Sequence, residues 1–447
     1  MGFMASAELR QLFLDFFAER GHHVLPSASL VPEGDPTLLF TGAGMVPLKP
    51  YFSGEELPPS KRLASVQKCF RTTDIDKVGN ERSLTFFEML GNFSIGDYFK
   101  RGAIELAWEF VTRHLKLAPE RLWASVYVDD DEAYELWREI ALPVERIVHL
   151  GKEDNYWGPA GETGPCGPCS EIFYDRGVEF GCRQSSCAPG CDCERFLEIW
   201  NLVFMQYHQD AEGGLTPLPQ QNIDTGMGLE RTAVVMQEVA SIYETDLFSP
   251  LIEKACELVG RDYGEGEEVD RSLRIIAEHG RAITFLVADG VLPSNEGRGY
   301  VLRRILRRAV RHGKLLGREE PFLSQIAEQV IQVMGEHYPE LKQRKTFVLG
   351  VLTQEETGFQ QTLSMGSALL DELMGQTLAA GRNAIPGAEV FRLYDTYGFP
   401  VELVSEVAAE QGLNVDQDGF ERAMAEQRSR ARDAQTFGLA KERGFYR

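Results

Sequence analysis

The sequence predicts an α+β fold in two parts, and three observations carry that expectation. Residues 1–243 hold short apolar runs with a two-residue alternation, punctuated by Gly, Pro and charged stretches, as strands and turns require. From about residue 241 such runs give way to a helical apolar period over 251–259, 272–288, 301–316, 322–334, 345–374 and 401–411. A chain of 447 residues with 43% hydrophobic and 10% aromatic content has material for two to three cores. A sheet-containing domain is therefore expected at 1–243 and an all-helical domain at 244–447.

Taken in order, Ser6 is expected to cap a helix whose apolar face is Leu9, Leu12, Phe13, Phe16 and Phe17. Residues 23–30 read as extended and 37–40 as a short strand. Strands at 63–71 and 84–90 enclose a charged loop, 72–83, which makes an antiparallel hairpin with a long tip. Arg71 stands at the mouth of the first strand, either as a ligand contact or as a surface arginine beside Asp74. Helices are expected at 97–115 and 132–140, with a strand at 123–128. The Gly- and Pro-rich segment 155–171 reads as a shaped loop feeding a strand at 172–174. Trp157 within it is a packing anchor or a ligand contact.

The strand at 196–207 puts Asn201 on an otherwise apolar face with Leu197, Ile199, Val203 and Met205, while Glu198 and Trp200 face the other side. A buried Asn needs partners, which a neighbouring loop or a ligand could supply. The chain is organised around Asn222-Ile223-Asp224-Thr225-Gly226-Met227-Gly228-Leu229-Glu230-Arg231, where a strand passes into a helix at 232–239. Gly226 and Gly228 there allow a sharp turn and close approach to a ligand. The helix start suits an anion, Arg231 a phosphate and Asp224 a cation. With Asn201, Asp224 could hold an ammonium, and Val203 would wall a small apolar pocket. The plainer reading is a helix start with glycines at a tight turn.

A net charge of −22 excludes a general nucleic-acid coating protein. One helix and its flanks nevertheless concentrate nine Lys and Arg against two Asp and Glu between 281 and 318. Arg304, Arg308 and Arg311 on it read as a phosphate-backbone footprint, or as a charged face paired with acidic neighbours. Cys182, Cys187, Cys191 and Cys193 lie in a Gly/Pro/Ser-rich loop, and four clustered thiols suit a tetrahedral Zn²⁺ site. Cys166 and Cys169 read as plain loop cysteines, and Cys69 and Cys256 as core thiols. No apolar run approaches membrane-spanning length and no secretion signal is present, so no membrane partner and a cytoplasmic location are expected. The tail from residue 417 reads as charged and helical.

Five runs together resemble the alanyl-tRNA synthetase family of class II synthetases. They are Thr85-Phe86-Phe87-Glu88-Met89-Leu90-Gly91-Asn92-Phe93-Ser94, Thr163-Gly164-Pro165-Cys166-Gly167-Pro168-Cys169, Ile199-Trp200-Asn201-Leu202-Val203-Phe204-Met205-Gln206, the segment from Asp224 to Arg231, and Leu292-Pro293-Ser294-Asn295-Glu296-Gly297-Arg298-Gly299-Tyr300. The resemblance covers essentially the whole chain. It implies a class II antiparallel sheet flanked by helices, carrying a Cys-rich insertion at 176–194, then a helical tRNA-recognition domain. It implies activation of L-alanine with ATP and Mg²⁺ to alanyl-adenylate, and transfer to tRNA(Ala).

By resemblance, Arg71 holds the α-phosphate and the amino-acid carboxylate, while Arg231 and Gly228 lie at the ATP end. Trp157 and the backbone of Ile199, Trp200 and Asn201 belong to the ATP and alanine site. Asn201 and Asp224 bind the alanine ammonium, and Val203 limits the side chain. Asn295 and Asp395 are similar to the residues that read the acceptor-stem G·U pair. Two departures stand out. Ser83 and Leu84 replace a histidine pair often found before Thr-Phe-Phe, and the loop after Arg71 is short. None of the eight histidines has another four residues away, so the family's editing site is not expected here, and the chain reads as a monomeric N-terminal fragment. An adenylating ligase with a non-tRNA acceptor, or a zinc-dependent RNA-binding module without catalysis, are the alternatives.

Overall fold

The computed structural model describes residues 2–33, 35–140 and 142–427. In chain order come α1 (Ser6–Ala18), β1 (His23–Leu25), α2 (Lys49–Ser53), β2 (Arg62–Phe70), β3 (Phe86–Ile95), α3 (Lys100–Glu109), β4 (Leu122–Tyr127) and α4 (Asp131–Glu139). Then follow β5 (Ile147–Leu150), α5 (Lys152–Asn155), β6 (Tyr156–Trp157), and three long strands, β7 (Gly164–Asp175), β8 (Phe196–Gln209) and β9 (Leu215–Gly228). β9 runs straight into α6 (Leu229–Gln237). The rest is mostly helical: α7 (Ser249–Val259), α8 (Glu267–Ala288), α9 (Gly297–Leu315), α10 (Leu323–Met334), α11 (Pro339–Gln343) and α12 (Lys345–Ala379). A two-residue parallel pair, β10 (Ala384–Ile385) and β11 (Asn414–Val415), brackets α13 (Gly387–Tyr397) and α14 (Val401–Glu410), so the helical half is not purely helical. Residues 417–427 are helical, and the rest of the expected charged tail lies outside the described residues.

Nine strands form one mixed sheet in the order β1-β2-β3-β9-β8-β7-β4-β5, with β6 added on β7. The central pairs are antiparallel, whereas β1 runs parallel to β2 and β5 parallel to β4. One sheet face is closed by α1. Phe13, Phe17 and Phe110 gather around Trp200 of β8 at centroid distances of 5.8, 6.4 and 5.7 Å. All four rings are fully buried, and each contributes about 1.5–3 kcal/mol of hydrophobic stabilisation.

Three local expectations are corrected. Ser6 does not cap α1, which starts after Ala5; its N–H and hydroxyl donate instead to Asp246, at 2.8 and 2.5 Å. Residues 37–40 form no strand, because the Asp35 carboxylate accepts from the Thr37 N–H and hydroxyl and folds the chain into a turn. The Gly/Pro-rich 155–171 segment is not all loop, since β7 already begins at Gly164. Its register slips between Cys166 and Cys169, where Gly167 passes so close to the Phe204 carbonyl that a Cβ would sit 2.0 Å from it.

The chain divides into two compact units, but not at 243/244. One comprises Met1–Val291 with Ile326–Lys345, the other Leu292–Gln325 with Thr346–Arg447. α7 and α8 belong to the sheet unit because α8 is anchored by buried polar contacts. Glu278 accepts from the Thr85 hydroxyl at 2.6 Å, Arg281 pairs with Glu230 at 2.8 Å, and Lys68 bridges Asp289 and Glu340 at 3.0 and 2.8 Å. In the same unit Arg10 grips buried Glu88 through two hydrogen bonds, 2.8 and 2.6 Å, and Tyr338 donates to that carboxylate at 2.7 Å.

Candidate active site

On the sheet face opposite α1 lies a cavity of about 600 Å³. Its floor follows from strand register. β8 and β9 are antiparallel, with Val203 opposite Asp224 and Asn201 opposite Gly226, so Asn201, Val203 and Asp224 share one face. Val203 is 3% exposed and packs into an apolar cluster with Met45, Phe93 and Cys169, against which Trp157 leans. Gly226 leaves room for a contact, since a Cβ there would meet the Met89 sulfur at 2.7 Å and that side chain would have to shift. Gly228 sits at φ −71°, ψ 116°, so the strand enters α6 without the sharp turn expected from its glycines.

The polar groups on this floor are incompletely paired. Asp224 is 4% exposed and its Oδ1 has no hydrogen-bond partner among the described residues. Loss of solvent alone pushes its carboxyl up to about 7. The Asn201 Nδ2 donates to Glu171 Oε1 at 3.0 Å, while its Oδ1 is likewise without a partner. Two buried acceptors on one sheet face, diagonal across the β8–β9 pair, suit a small ligand that brings several N–H donors.

Cations ring this floor. Arg71 follows β2, its Nε donating to the Gly42 carbonyl at 2.9 Å and its guanidinium 4.9 Å from the Phe87 ring centre. Arg231, two residues into α6 after Leu229, donates through Nη1 to Glu198 Oε2 at 2.7 Å, so a phosphate there competes with a carboxylate. Lys77 and Arg82 also line the cavity, as do Ser83 and Leu84, the two residues that stand where the resembling family often has histidines. The loop after Arg71 is ordered by a 3₁₀ turn, Thr72–Lys77.

The structure thus brings Arg71, Trp157, Ile199, Asn201, Val203, Asp224, Gly228 and Arg231 to one cavity. Trp200 is the exception. Its side chain lies in the aromatic core behind the sheet, so only its backbone remains available to the site. Sequence reasoning missed Met89, Glu171 and Glu198. The two-residue alternation puts Glu198 on the Trp200 side, but the β7–β8 register shifts between Ile172 and Phe173 and brings Glu198 to the cavity with Ile199. Glu171 becomes visible only once the register is known, because it lies opposite Asn201.

Cys182, Cys187, Cys191 and Cys193 converge, with all four sulfurs within 4.8 Å of one another. The Cys182–Cys191 and Cys187–Cys193 separations are 3.7 and 3.5 Å. Ligands about 2.3 Å from a tetrahedral zinc stand roughly 3.8 Å apart, so the donor set fits. Cys166 and Cys169 stay buried on β7 beside Tyr156 and Asn155. Cys69 is fully buried, and Cys256 only half-buried.

In the other unit, Asn295 and Asp395 are exposed and line a second cavity of about 430 Å³. Asn295 accepts from Arg303, and Asp395 accepts from Gln427 at 3.0 Å. The basic footprint of α9 is corrected here. Arg308, 2% exposed, grips Glu406 with two hydrogen bonds of 2.8 Å, and Arg311, 9% exposed, pairs with Glu410 at 3.0 Å. Neither is presented to a phosphate backbone, because acidic residues about a hundred positions later fold back onto them. Arg303 and Arg307 share Glu355, and Arg304 is half-buried on the same helix.

The family model for class II (A) tRNA synthetases matches residues 8–443. An alanine–tRNA ligase of Dehalococcoides mccartyi is 57% identical over 435 residues, 97% of this chain and 50% of that protein. One from Natranaerobius thermophilus is 55% identical over 434 residues, 97% of this chain and 49% of that protein. The chain therefore spans about half the length of the curated relatives it matches. Among solved structures, apo S. aureus histidyl-tRNA synthetase aligns at 10% identity and TM-score 0.32 over 52% of this chain and 68% of that one, a score that carries no argument. With the family model matched from residue 8 to residue 443, the chain belongs to the class II tRNA synthetases.

Proposed function

We propose that this chain is the aminoacylation part of an alanine–tRNA ligase. It would activate L-alanine with ATP and transfer the alanyl group to the 3′ end of tRNA(Ala). The observation that carries the reading is the pair of unpartnered buried acceptors, Asn201 Oδ1 and Asp224 Oδ1, beside Val203. An α-ammonium supplies the donors these atoms need, and Val203 leaves room for a methyl group but meets a larger side chain by clash. The amino-acid carboxylate is already ionised, so it attacks the ATP α-phosphate without a general base, and pyrophosphate leaves. Arg71 and Arg231 offset the negative charge that builds on the phosphoryl oxygens. Mg²⁺ would supply further charge neutralisation, and Glu198 and Asp74, which line the cavity and pair with Arg231 and Lys77, would be the carboxylates available to hold it.

Asn295 and Asp395 form the proposed contact to the acceptor stem and its G·U pair; an exposed amide and carboxylate on one cavity offer the donors and acceptors that base edges require. Zn²⁺ at Cys182, Cys187, Cys191 and Cys193 would order a loop that has little core of its own.

Amino-acid-dependent ATP–pyrophosphate exchange, run over all twenty amino acids without tRNA, tests the reading. Alanine should give the strongest exchange. Glycine should follow weakly, because losing one methyl forfeits only about 1–3 kcal/mol, and serine weakly too, because a small apolar pocket rejects one added hydroxyl only about a hundredfold. Exchange with no amino acid would defeat the proposal.

A further inference from the structure

We propose that Glu171 is a positioning residue for amino-acid selection, holding the Asn201 carboxamide by its Nδ2 and so fixing its oxygen as the acceptor on the sheet face it shares with Asp224. This inference rests on the adenylation reading above.

A carboxamide has two ends of nearly equal size, and only one orientation suits an ammonium. With Nδ2 turned away, Asn201 Oδ1 and Asp224 Oδ1 together present two acceptors. With the amide reversed, two N–H groups would face the ligand's own N–H groups. On the Val203 side of β8 the Cys169 thiol also neighbours the Asn201 side chain, and a thiol is a weak hydrogen-bonding partner next to a carboxyl group. The choice falls to Glu171, which lies directly opposite Asn201 on β7 and accepts the Asn201 Nδ2–H at 3.0 Å.

Glu171 is itself held from behind. The Ser125 hydroxyl reaches its Oε2 at 3.3 Å, the Ser125 carbonyl accepts from Ser170 Oγ at 2.6 Å, and Ser170 Oγ accepts from the Trp137 indole at 2.8 Å. That chain runs from α4 through the sheet, and every member of it is nine-tenths or more buried. Burial first, and Glu198 second, push the Glu171 carboxyl well above the usual carboxylate range. A neutral acid still accepts through its carbonyl oxygen, and it adds no second negative charge beside Asp224, so the ammonium is matched by one carboxylate and one amide.

The test is ATP–pyrophosphate exchange on the whole chain with Glu171→Leu and Glu171→Gln. Leu keeps most of the volume and loses the acceptor, whereas Gln keeps an acceptor in the same place. Glu171→Leu should raise the alanine KM about tenfold or more and leave the ATP KM within about twofold, while Glu171→Gln should stay within about threefold of the parent on both. Should Glu171→Leu fail to fold, Ser125→Ala, which frees only Oε2, should show the same split at about two- to fivefold on alanine alone.

Equal rises in both KM values, an unchanged alanine KM, or a Gln variant no better than Leu would overturn the inference. A parent protein without alanine-dependent exchange would defeat the proposed function and this inference with it. Normal parent exchange with a flat response of the variants would defeat this inference alone.

Discussion

The cavity floor of the sheet unit and the arginine face of α9 are both places where the sequence sets polar or charged residues among apolar ones, and they turn out as opposites. On the floor, Asn201 and Asp224 hold buried acceptor atoms that have no hydrogen-bond partner among the described residues. On α9, Arg303, Arg307, Arg308 and Arg311 each meet a glutamate from α12 or α14. A local excess of charge in sequence therefore says little about charge presented to a partner. An unpaired polar atom in a desolvated place says more, because folding has spent stability there that only a ligand returns.

The largest expected effect tests the floor. Asp224→Ala should lower alanine-dependent exchange by about a hundredfold to a thousandfold, since it removes a buried charged partner of the ammonium. Stability should move the other way. The Asp224 carboxyl is raised from 3.8 to about 7, so the folded, ligand-free protein keeps a proton that the unfolded chain gives up. Its stability thus falls as pH rises from about 4 to about 7 and then levels, a cost of order 4 kcal/mol at most. Asp224→Asn should remove that slope and raise Tm at pH 8, as thermal unfolding with and without the substitution would show. Because an ammonium favours the ionised carboxylate, the alanine KM should fall as pH rises towards 7. A flat profile would mean that Asp224 does not meet the ammonium.

Next in size, Arg308→Met should destabilise the helical unit by about 3 kcal/mol, because it takes from Glu406, in a mostly buried place, its two-hydrogen-bond partner and leaves it His312 at 4.0 Å. The double substitution Arg308→Met with Glu406→Leu should recover much of this in denaturant unfolding. Alanine-dependent exchange by the folded variant should not change. If Arg308→Met instead folds normally and loses only tRNA affinity, the contrast between the two regions breaks, and α9 presents its charge after all.

Smaller still, Val203→Ala should deepen the floor and favour 2-aminobutyrate over alanine by about tenfold in exchange relative to the parent, the worth of one or two methylenes. The four-cysteine loop sharpens the comparison differently, as it gathers ligands rather than pairing them off. Metal analysis should find about one zinc per chain, and Cys193→Ser should lose most of it and expose residues 181–194 to proteolysis, as zinc-dependent loops do. Zinc content unchanged by that substitution would remove Cys193 from the site.

Much of the floor was legible beforehand. Asn201 is the odd residue on an apolar strand face, Val203 follows two positions later, and Asp224 lies near the end of the strand that leads into a helix. All three are local patterns with a period of two. Gly226 was singled out for a turn and serves a close approach to Met89 instead, because backbone freedom and lack of volume look alike in sequence. Glu198 escaped because a bulge shifted the alternation, and Glu171 because strand register is invisible until partners are known. α7 and α8 were assigned to the wrong unit because a helical period shows that a face is buried, not what buries it.

By itself the sequence determined the strand-rich and helical halves, the motif runs that place the chain in its family, and the spacing of four cysteines. These depend on residues within a few turns or a few strands of one another. The tertiary structure alone decided which charges cancel and which remain. Arg308 meets Glu406 98 positions away, and Asn201 meets Glu171 30 positions away. Both partnerships are set when distant segments pack, and short-range periodicity carries no information about either.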